Sequence, residues 1–153
     1  LGIPISTLNK YPIIDITIDG ADEVDEEMNL IKGGGGALLR EKIIAQASKK
    51  LIIVIDPNKR SKKLGEKFFV PVEVLQFAEE VEKRFLESLG AVVTRRLNSD
   101  GKDFITDEKN IILDCKFGIL ENPEKIASIL NERAGIVEHG IFINLADEIV
   151  TGE

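Results

Sequence analysis

The chain has 153 residues, 43% hydrophobic and 31% charged, which is enough apolar content to bury a core and excludes a disordered polymer. Its 27 acidic and 20 basic residues leave a net charge of −7, which argues against general nucleic-acid binding, so an anionic ligand requires a local cluster of positive charge. The longest apolar run, Leu51 to Ile55, is far too short for a bilayer, no signal-peptide pattern opens the chain, and a single cysteine, Cys115 in an apolar run, allows no internal disulfide; the reading is a cytoplasmic protein.

In chain order, the run PIIDITID before Gly20 reads as a strand that ends in a turn, with Asp19 at its carboxyl end. KGGGGALLREK, Lys32 to Lys42, follows: four glycines with no side chains to obstruct their amides, then a helix whose N-terminus aims donors outward. Leu39, Ile43, Ile44 and Ala47 recur at helical spacing and define its inner face, with Lys49 and Lys50 in the last turn. KLIIVID, Lys50 to Asp56, is a continuous apolar run and reads as a strand buried on both faces. Strand, glycine loop, helix and strand predict a Rossmann-like parallel-sheet unit, in which ligands sit beyond the carboxyl ends of the strands.

Beyond Pro71 the pattern changes. Phe77, Val81, Phe85 and Leu89 form an apolar helical stripe closed by Gly90, AVVTRR supplies a strand, and a hairpin-like pair surrounds FITD and NIILDC. Asn122 caps a helix with Pro123 at its first position and Ile126, Ile129 and Leu130 inside; Gly135 ends it, and GIVEHGIFI is the last strand. This βαββαβ order predicts a small ferredoxin-like α+β domain over 70–143, with 1–69 and 144–153 forming the α/β domain.

The chemistry-bearing residues cluster early. Asp19, Asp22, Lys32, the glycine loop and Glu41 together suit proton transfer on an anionic sugar, with Lys59 at the same sheet edge. Each has a plainer reading: a GGGG run is usually a connector, the acids from Asp19 to Glu27 are usually a solvated turn, and Glu41 complements the helix dipole. The loop is not a Walker A motif, because Ala37 and Leu38 stand where Lys and Ser/Thr belong, and the acidic turn lacks EF-hand spacing, so no metal is expected. His139 is read as structural, and the run Lys59 to Lys63 as a surface loop.

DGADEVD and KGGGGALLREK at this spacing, Asp56 with Lys59 beyond it, PVEV at Pro71 to Val74, TDEKNIILD at Thr106 to Asp114 and GIVEHGIF at Gly135 to Phe142 strongly resemble type A ribose-5-phosphate isomerases. The resemblance implies interconversion of ribose 5-phosphate and ribulose 5-phosphate, with no metal or other cofactor, in homodimers or homotetramers without nucleic-acid or membrane partners. It implies that Glu41 is the base moving a proton between C2 and C1, and that Asp19 and Asp22 handle hydroxyl protons and ring opening. Lys32 with the amides of Gly33, Gly34 and Gly35 would stabilise the enediolate oxygen, Gly20 and Ala21 would line the substrate site, and Lys59 would contact the substrate. The family's opening strand and Gly/Ser/Thr-rich phosphate loop have no match here, so Leu1 is expected to begin midway through the catalytic domain. Two rival readings are a non-catalytic sugar-phosphate sensor and a deaminase or lactonase; no helix-turn-helix supports the first, and no histidine beside the glycine loop supports the second.

Overall fold

The structure, a computed structural model, describes residues 2–152 as a mixed α/β fold with one parallel and two antiparallel sheets. The elements run β1 (Thr17–Asp19), β2 (Glu23–Val24), β3 (Leu30–Ile31), α1 (Leu38–Gln46), β4 (Leu51–Ile55), β5 (Val70–Val74), α2 (Glu79–Ser88), β6 (Val92–Arg95), β7 (Ile111–Lys116), α3 (Pro123–Asn131), β8 (Ile136–His139), β9 (Ile141–Phe142) and β10 (Glu148–Thr151). Among the described residues no helix is long and apolar enough to cross a membrane.

The parallel sheet has the order β1-β4-β10, so Glu148–Thr151 pair beside the central strand β4. Leu51, Ile53 and Ile55 of β4 point inward onto Val24, Leu30, Ala45 and Phe142. Val54 on the opposite face is 45% exposed, as are Ile18 and Val150 to similar or greater degrees, so β4 is not buried on both faces. The opening strand is also shorter than expected: only Thr17–Asp19 is regular, while Ile14 makes an isolated bridge to Ser48 and Asp15 pairs with Lys49.

Helix α1 presents a different face from the one its apolar residues mark. Leu38, Lys42 and Ala45 are buried, whereas Ile43 and Ile44 are exposed. The helix stops at Gln46, and Lys49 and Lys50 lie past its end, paired with Asp15 and Glu148. A buried ion pair of Lys42, described below, turns the helix this way.

The second antiparallel sheet has the order β6-β7-β5-β8, flanked by α2 and α3 around a core of Val72, Val74, Leu86, Ile111, Leu113 and Leu130. The order of elements β5-α2-β6-β7-α3-β8 agrees with the reading of the sequence, except that FITD forms no strand. Its Thr106 instead donates from Oγ1 to the buried Glu73 carboxylate at 2.8 Å, and Asn110 donates to the same oxygen at 2.9 Å, so the segment serves a buried acid rather than a sheet. Phe77, in the short turn before α2, and Val81 on the helix are exposed, and the buried positions of α2 are Glu82 and Leu86; Glu82 turns inward to accept from Arg133 at 2.9 Å. Asn122 caps α3 as expected, its Oδ1 accepting from the Lys125 amide at 2.8 Å.

The predicted last strand is two strands in two sheets. β8 pairs with β5, then the chain breaks at Gly140, and β9 pairs with β3. The Gly140 amide donates to Pro71 O at 2.7 Å and its carbonyl accepts from the Lys32 amide at 2.8 Å. A Cβ there would stand 2.2 Å from Lys32 O, so only glycine lets the two sheets meet. This junction sets Lys32 against both sheets.

Candidate active site

Asp19 ends β1, and its Oδ1 accepts from the Gly20 amide at 2.8 Å, which folds the carboxylate over the turn. The chain then enters a short hairpin of β2 and β3 that the sequence reading did not anticipate. Its turn is held by Asp25, which is buried and whose Oδ1 accepts from the amides of Glu27 and Asn29 at 2.9 and 2.8 Å. Glu23, fully buried, accepts from the amides of Gly65, Lys67 and Phe68. These two acids are structural anchors, and the acidic turn is not simply solvated. Asp22 is different: its amide continues the ladder to Ile31 O at 2.9 Å, and its carboxylate faces the glycine loop.

Beyond β3 the side chain of Lys32 is 4% exposed. Its ammonium lies 2.9 Å from Asp19 Oδ2, donates to Gly20 O at 2.5 Å and sits 5.7 Å from the Phe142 ring centroid. Glu41 Oε2 is 3.5 Å away, a long ion contact; that oxygen is buried and receives no hydrogen bond among the described residues. Burial raises the Glu41 pKa above the usual carboxylate range; Lys32 opposes the shift, and the charges of Asp19 and Asp22 add to it. A carboxyl group so held is a better proton acceptor than a solvated one.

The glycines are not equivalent. Gly33 (φ +95°) and Gly36 (φ +89°) close a turn in which the Gly36 amide donates to Gly33 O at 3.0 Å. The Gly34 amide donates to Asp22 Oδ2 at 2.7 Å and is already engaged. A Cβ on Gly36 would stand 2.2 Å from the Phe104 ring, whereas one on Gly35 meets nothing within 4 Å. Accordingly Gly36→Ala should cost about 2–4 kcal/mol, from left-handed strain plus overpacking, and Gly35→Ala within about 0.5 kcal/mol. Urea unfolding of the two variants checks this; equal midpoints would show that the loop is free to rearrange.

Asp19, Gly20, Ala21, Asp22, Lys32, Gly33, Gly34, Gly35 and Glu41 line one open cleft of about 190 Å³, so the structure brings together every site residue expected from the sequence but Lys59. Lys59 lies in a short 3-10 turn past β4, 5.9 Å from the Phe68 ring, and is not part of the cleft wall. No group of three or more potential metal ligands occurs among the described residues.

Two features escaped the sequence. Arg96 donates from Nη1 to the carbonyls of Gly33 and Gly34 at 2.7 and 3.1 Å. Lys42, next to Glu41, is buried and donates to Glu138 Oε1 at 2.5 Å and His139 O at 2.6 Å, with its ammonium 4.8 Å from the Phe142 ring. Burial lowers the Lys42 pKa. His139 is structural as expected; burial first, then the adjacent ammonium, push its pKa down to about 3, and Nε2 pairs with Asn131 Oδ1 at 3.1 Å. The one sequence signal for Lys42 was its spacing from Leu38 and Ala45; Arg96 had none.

Over residues 1–153 the chain matches the model of the family described as ribose 5-phosphate isomerase A (phosphoriboisomerase A). It is 59% identical over 143 residues to ribose-5-phosphate isomerase A of Desulfatibacillum aliphaticivorans, and 52% identical over 149 residues to that of Chloroflexus aurantiacus. Those alignments cover 94% and 97% of this chain but 62% of each relative. Among solved structures, ribose 5-phosphate isomerase A from Methanocaldococcus jannaschii superposes with a TM-score of 0.92 at 38% identity, covering 99% of this chain and 67% of that one. A D-ribose-5-phosphate isomerase in complex with phospho-erythronic acid superposes with a TM-score of 0.93 at 38% identity, covering 97% of this chain and 66% of that one.

Proposed function

The chain belongs to the ribose 5-phosphate isomerase A family, and from that premise we propose that its cleft interconverts ribose 5-phosphate and ribulose 5-phosphate through an enediolate. The observation that carries this reading is Glu41, whose buried Oε2 receives no hydrogen bond among the described residues, set in one cleft with the Lys32 ammonium and the glycine loop. Glu41 takes the C2 proton of the open-chain aldose. The C–H electron pair becomes the C1–C2 double bond, and the carbonyl pair moves onto O1. Lys32 and the loop amides not already held by Asp22 stabilise that oxyanion. Asp19 and Asp22 move the O2 proton to O1, and Glu41 returns its proton to C1. A proton beside a carbonyl becomes acidic only when such donors are preorganised, each worth about 10²-fold or more.

Lys59, just past the carboxyl end of β4, is assigned the phosphate-bearing end of the substrate. No added metal or organic cofactor enters this scheme. We further read 1–69 with 144–153 as a Rossmann-like catalytic unit and 70–143 as a ferredoxin-like one, a division supported by the separate sheets β1-β4-β10 and β6-β7-β5-β8. A cytoplasmic homodimer or homotetramer is the setting the family suggests. Incubation of the natural protein with ribose 5-phosphate in D2O tests the chemistry. Deuterium should enter at the carbon positions exchanged during turnover, and a hydroxamate mimic of the enediolate should compete. Binding of the sugar phosphate without any exchange would favour the sensor reading instead.

A further inference from the structure

Arg96 follows β6 and is tied into the sheet by its own backbone, its amide donating to Ile112 O at 2.9 Å and its carbonyl accepting from Phe104 at 3.1 Å. Its side chain is 9% exposed. Nε and Nη2 form a bidentate pair with Asp114 at 3.0 and 2.5 Å, and the rings of Phe69 and Phe104 stand 5.7 and 5.8 Å from the guanidinium carbon. A planar fork fixed on one edge by a carboxylate and flanked by two rings has a single direction left for Nη1. That direction is the glycine loop, where it meets the carbonyls of Gly33 and Gly34.

In a trans peptide the N–H points opposite to the C=O. Holding Gly33 O therefore aims the Gly34 amide away from Arg96, and it is found on Asp22 at 2.7 Å. Holding Gly34 O aims the Gly35 amide to the same side. That amide has no acceptor among the described residues, and Gly35 lines the cleft. A cation on the carbonyl oxygens also polarises both peptides, which strengthens their N–H donors.

We propose that Arg96 is a positioning residue of the reaction, holding two loop peptides so that one amide fixes Asp22 and the next faces the developing oxyanion. This rests on the isomerase reading above. Arg96 does not line the cleft; it acts from the four-stranded antiparallel sheet through the loop.

Two variants of the natural protein test it. Arg96→Met alone leaves Asp114 unpaired, so the informative variant is the double replacement Arg96→Met/Asp114→Leu, which exchanges the ion pair for apolar side chains. Arg96→Lys keeps the charge and loses the fork. In the double variant kcat should fall about 10- to 100-fold with KM within about 3-fold, and the hydroxamate should weaken in proportion to kcat/KM. Arg96→Lys should recover only part of this. A folded double variant with kcat and hydroxamate affinity within about 2-fold of the unmodified protein would overturn the proposal. A substrate-free measurement judges Arg96 separately: in the double variant, amide exchange at Gly34 should accelerate about 10-fold or more as its hold on Asp22 loosens. Unchanged exchange would reject the proposal even if turnover fell. An unmodified protein that never isomerises would count against the isomerase reading, leaving the exchange result to decide the role of Arg96.

Discussion

Replacing Glu41 with glutamine is expected to lower kcat by about 10²-fold or more with KM within a few-fold, while making the protein more stable near neutral pH. The two effects have one cause. Burial raises the Glu41 pKa, so folding favours the protonated carboxyl group, against the opposing pull of Lys32. A raised folded pKa gives a stabilisation that is complete below the ordinary carboxylate value and is lost as pH rises through the raised one. Above that raised pKa the native protein has lost the stabilisation, and a neutral glutamine of the same shape never loses it. Activity has the opposite sense, because the base must be ionised: kcat/KM should rise with pH through the same raised pKa. The checks are a pH–rate profile and paired melting curves at acid and neutral pH. Turnover near that of the unmodified protein would remove Glu41 from the proton transfer, and a variant both inactive and less stable at neutral pH would make Glu41 a structural anchor.

Glu138→Leu should be the most damaging single change away from the cleft. It strands the Lys42 ammonium, whose side chain is 8% exposed, without the carboxylate that holds it at 2.5 Å. Removing one partner of a buried pair costs about 3–5 kcal/mol. For a chain of this size that corresponds to a Tm lower by roughly 10 °C or more. Replacing both partners, Lys42→Met with Glu138→Leu, should recover most of the loss, because no charge is then buried alone. Calorimetry of the single and double variants decides. Additive losses would show that the pair is not coupled and that the orientation of α1 depends on something else.

The cleft was legible because its residues are near one another in the chain. Asp19, Asp22, Lys32 and Glu41 fall in one short stretch of the chain, at a strand end, in a hairpin, before the glycine loop and in the first turn of a helix, so their closeness in sequence marked them together even though the hairpin and the Gly140 contact that set Lys32 were not visible. The faces of α1 and α2 were not legible for the converse reason. Ile43 and Ile44 carry the apolar signal, but Lys42 is inside because Glu138, 96 positions away, receives it. On α2 the buried Glu82 displaces the apolar reading in the same way, since Arg133 lies 51 positions ahead. A periodicity argument counts hydrophobic residues and has no means of seeing a charge neutralised from afar. The break at Gly140 was hidden similarly: an isolated glycine in an apolar run looks like one strand until Lys32 O is known to press against it.

The separation of local chemistry from remote support bears on the order in which the protein is made. By the time Lys42 has been synthesised, every residue lining the cleft exists, yet Arg96, Glu138 and Gly140, which hold the loop, the helix and Lys32, are still to come. The parallel sheet likewise lacks β10 until Glu148–Thr151 appears. Contacts of such long range form late, because the closure entropy must be met before they repay it. A nascent chain thus carries the acids and the lysine of the site well before it carries their geometry, and the cleft becomes a defined site only when the last strands dock.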